Sequence, residues 1–427
     1  MQKLNWLSSK ENSEVRDITS RFWKTLSPKA YPITKGSMRV PISLEPFILS
    51  KNEYADLQKG ILLVISAARK LAEHYFDDVE LRAVFSLHPT ETDLIDASKD
   101  ESFVGPIRAD LFYAKKPKIV ELNTDFPDGL FLHDITAKCI LDILPSTYHS
   151  PSNATLFQEL LETEGVSKDE HIFVGYDAGR KFIDEFALTQ TQLKQAGWKN
   201  VSYGPLEELA YRDGALYFNT ERIEVIRRGV ETAKLRSNTE LLSQLITAQS
   251  DSGLKIINNF KMRLLGHKAL LAALWDRRFE RYLTTEEVEA VRNIIPETLK
   301  LETTSIETVR AHKDDWVLKP SDLAEGKGVV IGSASTEEEW SAHLTDALRN
   351  PQGWLVQRKV VIPKETFSIF DTDTDKIHVA EMSYDLDPHI VLFRDHAEMG
   401  NMLVRFSPSE ILNVMRGGGL TYAFVEN

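Results

Sequence analysis

The segment Lys319-Pro320-Ser321-Asp322-Leu323-Ala324-Glu325-Gly326-Lys327-Gly328-Val329-Val330-Ile331-Gly332 decides how the C-terminal part of the chain is read. An apolar run, Trp316–Lys319, ends in a lysine, a polar loop follows, and a second apolar run resumes at Gly328. Glycines at 326 and 328 let a loop between strands bring backbone N–H groups close to phosphate oxygens. Lys319 can neutralise phosphate charge at the strand end, and Lys327 stands between the glycines. An ordinary hairpin with a solvated Lys-Gly tip has the same local pattern. A Walker-type loop is excluded, because no Gly-Lys-Ser/Thr opens a helix here.

Downstream, Trp354–Val361, Thr366–Phe370, His378–Met382 and Met402–Phe406 read as strands, with one helix over Thr336–Arg349. This antiparallel α+β pattern differs from the stretch before it. Val166–Gly229 alternates strand and helix, carries an Asp213-Gly214 hairpin signal, and reads as a small Rossmann-like α/β module. Further upstream, Tyr54–Phe76 has helical apolar spacing, Val79–Leu87 and Lys118–Leu122 are β-type runs, and Leu130–Leu144 is a helix. The chain is therefore expected to be composite, α+β with α/β, divided at 1–165, 166–260 and 261–427.

A second constellation lies in the first segment: Arg108-Ala109-Asp110-Leu111, then Ile119-Val120-Glu121-Leu122-Asn123-Thr124-Asp125-Phe126-Pro127-Asp128-Gly129. Glu121 and Asn123 are two apart on a strand and share a face. They can aim two oxygen ligands at one hard cation, with Asp110 as a third. Mg²⁺ favours such oxygens and fills its other positions with water and substrate phosphates. A solvated strand followed by a turn fits the same residues. Lys268 heads an apolar helix, Ala269–Trp275, from which it can reach a cleft. The Gln357 segment can offer an adenine hydrogen bonds, or form a plain edge strand. Arg405 precedes the run Asn413–Gly419, a flexible turn on a local reading. His88, after a strand, can touch substrate or simply complete a turn. Arg227-Arg228 can grip a carboxylate or lie solvated at a strand end.

Composition narrows the function classes. Lys and Arg number 51 against 64 Asp and Glu, a net charge of −13, which argues against a nucleic-acid binder. The lone Cys139 excludes an intramolecular disulfide or a Cys-rich zinc site. Residues 1–17 lack an apolar signal core, and the greasiest run, Gly60–Ala68, covers about half a membrane. A soluble cytoplasmic protein without membrane partners is expected.

Taken together and in order, these segments resemble the circularly permuted ATP-grasp ligases, the group that includes the synthetase half of glutathionylspermidine synthetase. The resemblance runs from about Arg108 to the C-terminus. It rests on Arg-x-Asp, Glu-x-Asn-x-Asp-x-Pro-x-Gly, the Lys268 helix, Trp-Val-Leu-Lys-Pro with Gly-x-Gly-Val, the Gln357 strand, and a late Arg with Gly-Gly. Asp110, Glu121 and Asn123 come before Lys319, the inverted order of the permuted group. The resemblance implies ATP and Mg²⁺ as cofactors, with Asp110, Glu121 and Asn123 at the metal. It implies Arg108 near the reacting group and Lys268 and Lys319 on ATP phosphates. Gly326–Gly328 would be a lid, Gln357 would lie at the adenine, and Arg405 would steady an acyl phosphate. The acids of Ser321–Glu325 depart from the family's hydroxyl-rich loop. The implied reaction joins a small-molecule carboxylate to an amine, with amino acids or a short peptide as substrates and release of ADP and phosphate. A phosphotransferase on the same fold, or a nucleotide-binding protein without catalysis, uses the same residues; an amine requirement separates them.

Overall fold

In a computed structural model, residues 1–427 are described apart from 8–9, 27–33, 36–37, 128, 145–146, 181–183, 305, 324–325, 372–375 and 413–417. Most of the Asn413–Gly419 run, and Ala324-Glu325 of the glycine loop, therefore lie outside the described residues.

A nine-stranded sheet among the described residues carries the site. Its central order is Gln2–Lys3, Phe47–Leu49, Gly419–Glu426, Ala397–Ser407, Lys376–Leu392, Gly105–Tyr113 and Pro117–Asn123, with Lys364–Asp371 pairing on Lys376–Leu392. The four strands from Ala397–Ser407 to Pro117–Asn123 pair antiparallel. Residues 376–426 thus share a sheet with the first segment, rather than standing with the Lys319 region. The helix Lys51–His74 begins with a capping box between Ser50 and Glu53 and buries Leu57, Ile61, Val64, Ala68 and Leu71 at helical spacing. That apolar stripe joins one core with Ile107, Leu111, Ile119 and Leu386 from the sheet, as expected for an amphipathic helix on a sheet face.

The middle segment holds a four-stranded sheet, ordered Lys255–Ile257, Val225–Arg228, His171–Tyr176, Asn200–Pro205, with every pair parallel. The expected hairpin is present: Leu209–Arg212 pairs with Ala215–Phe218, and Asp213 and Gly214 take φ of 51° and 79°. Both values suit the mirror-image turn that matches strand twist. A further antiparallel sheet, Thr298–Lys300, Trp354–Arg358, Trp316–Pro320, Val330–Ile331, packs Trp316, Leu318 and Val356 on Trp340 and Leu344 of the helix Glu337–Ala347.

The β-type run expected at Val79–Leu87 is not a strand. Val79–Val84 is a helix, because Asp78 caps it by accepting from the Glu80 and Leu81 amides at 2.9 and 3.0 Å. A good cap outweighs the β preference of two valines. Gly419–Glu426 is an interior strand; buried from 419 to 425, it lacks the alternation that marks a half-exposed strand. Cys139 is buried in the helix Leu130–Leu141. No helix among the described residues is long and apolar enough to cross a membrane.

Candidate functional site

Side-chain alternation in the large sheet assembles the site. Asp110 lies opposite Glu121, and Arg108 opposite Asn123. Being two apart on each strand, all four share one face. Val120 falls where the register shifts between Asp110 and Leu111, so it is half-buried while Leu122 and Ile119 enter the core. Next door, Asp385 lies opposite Arg405, with Asp387 two residues on.

These groups form one charge network. Asp110 Oδ1 accepts from Arg108 Nε at 3.0 Å and from Asn123 Nδ2 at 2.8 Å, and Oδ2 accepts from Arg405 Nη2 at 2.8 Å. Arg405 also reaches Asp385 Oδ2 at 2.6 Å and Asp387 Oδ2 at 2.5 Å. Burial pushes the Asp110 carboxyl up, but Arg108 and Arg405 outweigh it and hold the group below its usual range. Asp387 has the opposite balance: burial, with repulsion from Asp385 and Asp110, keeps it well above the usual range despite Arg405. Asp385 is raised for the same first reason.

Two lysines reach this face from other elements. Lys268, just ahead of the helix Ala269–Trp275, donates to Glu121 Oε1 at 2.6 Å and to the Leu323 carbonyl at 2.7 Å. Lys319, in the strand Trp316–Pro320, donates to Gln357 Oε1 at 2.7 Å, and Gln357 in turn donates to Thr298 Oγ1 at 2.9 Å. Burial lowers the Lys319 ammonium from 10.5 to about 8, with Lys268 pushing the same way and Glu121 and Asp110 opposing.

Arg108, Asp110, Glu121, Asn123, Lys268, Lys319, Gln357 and Arg405 are thus brought together. Gln357 belongs as the holder of Lys319. Its strand is paired on both edges, by Thr298–Lys300 and Trp316–Pro320, so its backbone offers no edge to a base. Gly326 and Gly328 have φ of 68° and 72°, which suits glycine; a Cβ on Gly328 would stand 3.0 Å from Pro320 Cγ. Lys327 is exposed.

Three residues lie elsewhere. His88 caps the helix Pro89–Ala97, its Nδ1 accepting from the Thr90 amide. Arg227 is buried against Phe126, Phe131 and Phe157. Arg228 is fully buried, and its side chain makes five hydrogen bonds, to Asn258 O, Val230 O, Thr232 Oγ1, Asp125 Oδ1 and Asn259 O. Five is all a guanidinium can donate, so a substrate carboxylate has no N–H left to take. A cavity of about 440 Å3 bordered by Asp315, Arg358, Lys359, Val361 and Glu410 opens on the Arg358 side of its strand, away from Gln357 and Lys319.

Sequence reasoning passed over Asp385 and Asp387, although Tyr384-Asp385-Leu386-Asp387 puts two acids on one strand face. It also passed over Asn258, whose Nδ2 ties Pro106 O to Thr124 O at 2.8 and 2.7 Å. That single amide pins together the two strands bearing Asp110 and Glu121.

Among the described residues no group of three His, Cys, Asp or Glu side chains is arranged to hold a metal ion. The donor chemistry still suits a hard cation at two positions. Asn123 spends its Nδ2 on Asp110 and keeps its amide oxygen, and Glu121 gives one carboxylate oxygen to Lys268 and keeps the other. Asp110 fits less well, since both its oxygens already accept from arginines.

No family model and no curated protein matches the chain. In fold it is similar to a glutathione synthetase-like effector from Globodera pallida in its apo form, with a TM-score of 0.68 over 99% of this chain and 100% of that one, at 12% identity. D-alanyl-alanine synthetase A from Vibrio cholerae aligns over 55% of this chain and 88% of that one at 10% identity, with a TM-score of 0.29 that carries no argument. The first likeness shows a shared fold along the whole chain.

Proposed function

We propose that this chain is an ATP-dependent ligase of the ATP-grasp type, which activates a small-molecule carboxylate as an acyl phosphate and joins it to an amine. One observation carries the reading: Lys268 and Lys319, from separate elements, meet a sheet face bearing Arg108, Arg405, Asp110, Glu121 and Asn123. The full-length fold likeness to a synthetase-like protein supports it. Phosphoryl transfer to a carboxylate needs charge neutralisation and alignment far more than proton shuttling. The cluster is rich in Lys, Arg, carboxylate and amide groups, and it contains no nucleophile–base pair.

In this reading Lys319 and Lys268 bind ATP phosphates, while Arg108 and Arg405 hold the reacting carboxylate and the charge that builds on it. Gln357 positions Lys319, and Asp110 positions both arginines. Glu121 and Asn123 would hold Mg²⁺, which supplies charge stabilisation to the phosphates when bound. The Gly326–Gly328 turn covers the phosphates and keeps water from the acyl phosphate. The substrates are amino acids or a short peptide, and the compartment is the cytoplasm. To test this, the protein is incubated with Mg-ATP and pools of amino acids and polyamines while phosphate and new amide masses are followed. Amine-dependent phosphate release with an amide product supports a ligase; release without any amine requirement points to a phosphotransferase.

A further inference from the structure

Glu91 and Asp322 are separated by most of the chain, yet they share the same two arginines. Glu91 is fully buried. Its Oε1 accepts from Arg263 Nε at 3.1 Å, and its Oε2 lies 3.0 Å from Arg236 Nη2. On the other side Asp322 Oδ2 accepts from Arg236 Nη2 at 2.7 Å, and its Oδ1 accepts from Arg263 Nη2. The two acids are not equivalent. Glu91 is fixed within the first turn of a helix, where its Oε2 also closes a capping box with His88. Asp322 has a third of its side chain exposed and sits on the loop leaving the Trp316–Pro320 strand. Arg236 Nε is buried and has no hydrogen-bond partner among the described residues.

We infer that Arg236 and Arg263 form a carboxylate subsite, which Asp322 fills as a tethered competitor until an external acid takes its place. Asp125 also acts on Arg263 but is itself paired with Arg228, so Glu91 and Asp125 together offset only two of the three guanidiniums. Without Asp322 the cluster keeps one net positive charge and the pair two converging N–H forks, the arrangement that suits a carboxylate. The seated Asp322 is itself a sample of that guest. Stability alone gives little reason for a paired buried network of this kind, since such pairs are often near neutral against apolar packing.

The subsite lies beside the chemistry. The residue after Asp322 is Leu323, whose carbonyl accepts from Lys268, and Lys268 pairs with Glu121. One residue of chain, about 3.8 Å, separates the cradle contact from the Lys268 contact. Resting on the ligase reading, the guest is therefore the second carboxylate of an acidic substrate whose first carboxylate is activated. This accounts for the acid in a loop expected to face phosphate: Asp322 points at arginines.

A tethered group competes at an effective concentration of roughly millimolar or above, so a weakly binding guest displaces it poorly. Removing the Asp322 carboxylate should therefore tighten guest binding by about tenfold or more. The test is calorimetric titration with glutarate and, separately, inorganic phosphate, without nucleotide. The proteins are wild type, Asp322→Ala, Asp322→Asn, and Asp322→Ala combined with Arg236→Gln, each checked for an unchanged melting profile. The expected result is a tenfold or greater gain for glutarate in either Asp322 variant, abolished by Arg236→Gln. Unchanged glutarate affinity in both folded single variants overturns the proposal, as does an equal gain for phosphate. Because no turnover is measured, failure here leaves the ligase reading standing, and failure of ligation leaves this result standing.

Discussion

Asp110 lies directly across the strand pair from Glu121, yet the two carboxylates answer to different cations: Arg108 and Arg405 hold Asp110, and Lys268 holds Glu121. Neighbouring acids are thereby given separate tasks. Asp110 orients the arginines, whereas Glu121 faces the lysine side of the cluster, where phosphates would bind.

Glu121→Gln and Asn123→Ala should each leave a folded protein with almost no turnover. Both side chains are only partly buried, so the fold loses little. A loss of about 3 kcal/mol of transition-state stabilisation corresponds to a rate drop of roughly a hundredfold or more. Phosphate release and a melting curve on the same preparations check this. Near wild-type rates would overturn the proposed metal-binding role of both residues.

On the ligase reading, Lys319 should make ATP binding pH-dependent. Its ammonium is lowered to about 8, so ATP affinity should weaken as pH rises through 8 and the phosphate-binding charge is lost. The stability effect has the opposite sign. Between about 8 and 10.5 the unfolded chain binds more protons at this site than the native one, so this group's contribution to stability increases with pH there. Calorimetric Kd values for ATP from pH 6.5 to 9.5 should bend in the wild type and stay flat in Lys319→Arg.

Arg405 is the counterion of three buried carboxylates. Arg405→Met should cost about 3–5 kcal/mol, since it strands charge inside the protein. Adding Asp387→Asn should recover about 1 kcal/mol or more, because that carboxyl is already disfavoured in its charged form and the two sites are coupled. Urea unfolding of the single and double variants measures the coupling. Strictly additive losses would contradict the shared network.

Arg228 should act on the fold rather than on substrate. With all five donors engaged and Asp125 as its buried partner, Arg228→Met should destabilise by about 3–5 kcal/mol. A variant with wild-type stability but weakened substrate binding would restore the substrate role expected from the sequence.

Strand alternation made the face bearing Glu121 and Asn123 readable, and the Lys-loop-Gly-x-Gly pattern singled out Lys319, because both signals are local. The strand–helix alternation of 166–229 and the Asp213-Gly214 hairpin were readable for the same reason, whereas the parallel pairing that reaches out to Lys255–Ile257 was not. Distances across the chain were not. The strand end at Arg228 was readable, but nothing local says that it is buried against Asp125 and Asn258, and nothing in Glu91 announces Arg236 and Arg263. The pairing of Lys376–Leu392 with Gly105–Tyr113 is likewise a long-range match that apolar patterning cannot assign. Asp385 and Asp387 were visible as an alternating pair, but only the Arg405 register opposite them gives them a role.

The most direct measurement follows oxygen rather than rate. With amino acids labelled with ¹⁸O in their carboxyl groups, Mg-ATP and a pool of amines, the released phosphate is analysed by mass spectrometry. If a substrate carboxylate attacks the γ-phosphoryl group and an amine then displaces the phosphate, each phosphate formed carries one ¹⁸O, and ADP and amide appear in equal amounts. Unlabelled phosphate from ATP turnover, or labelled AMP with pyrophosphate, would contradict the acyl-phosphate ligase.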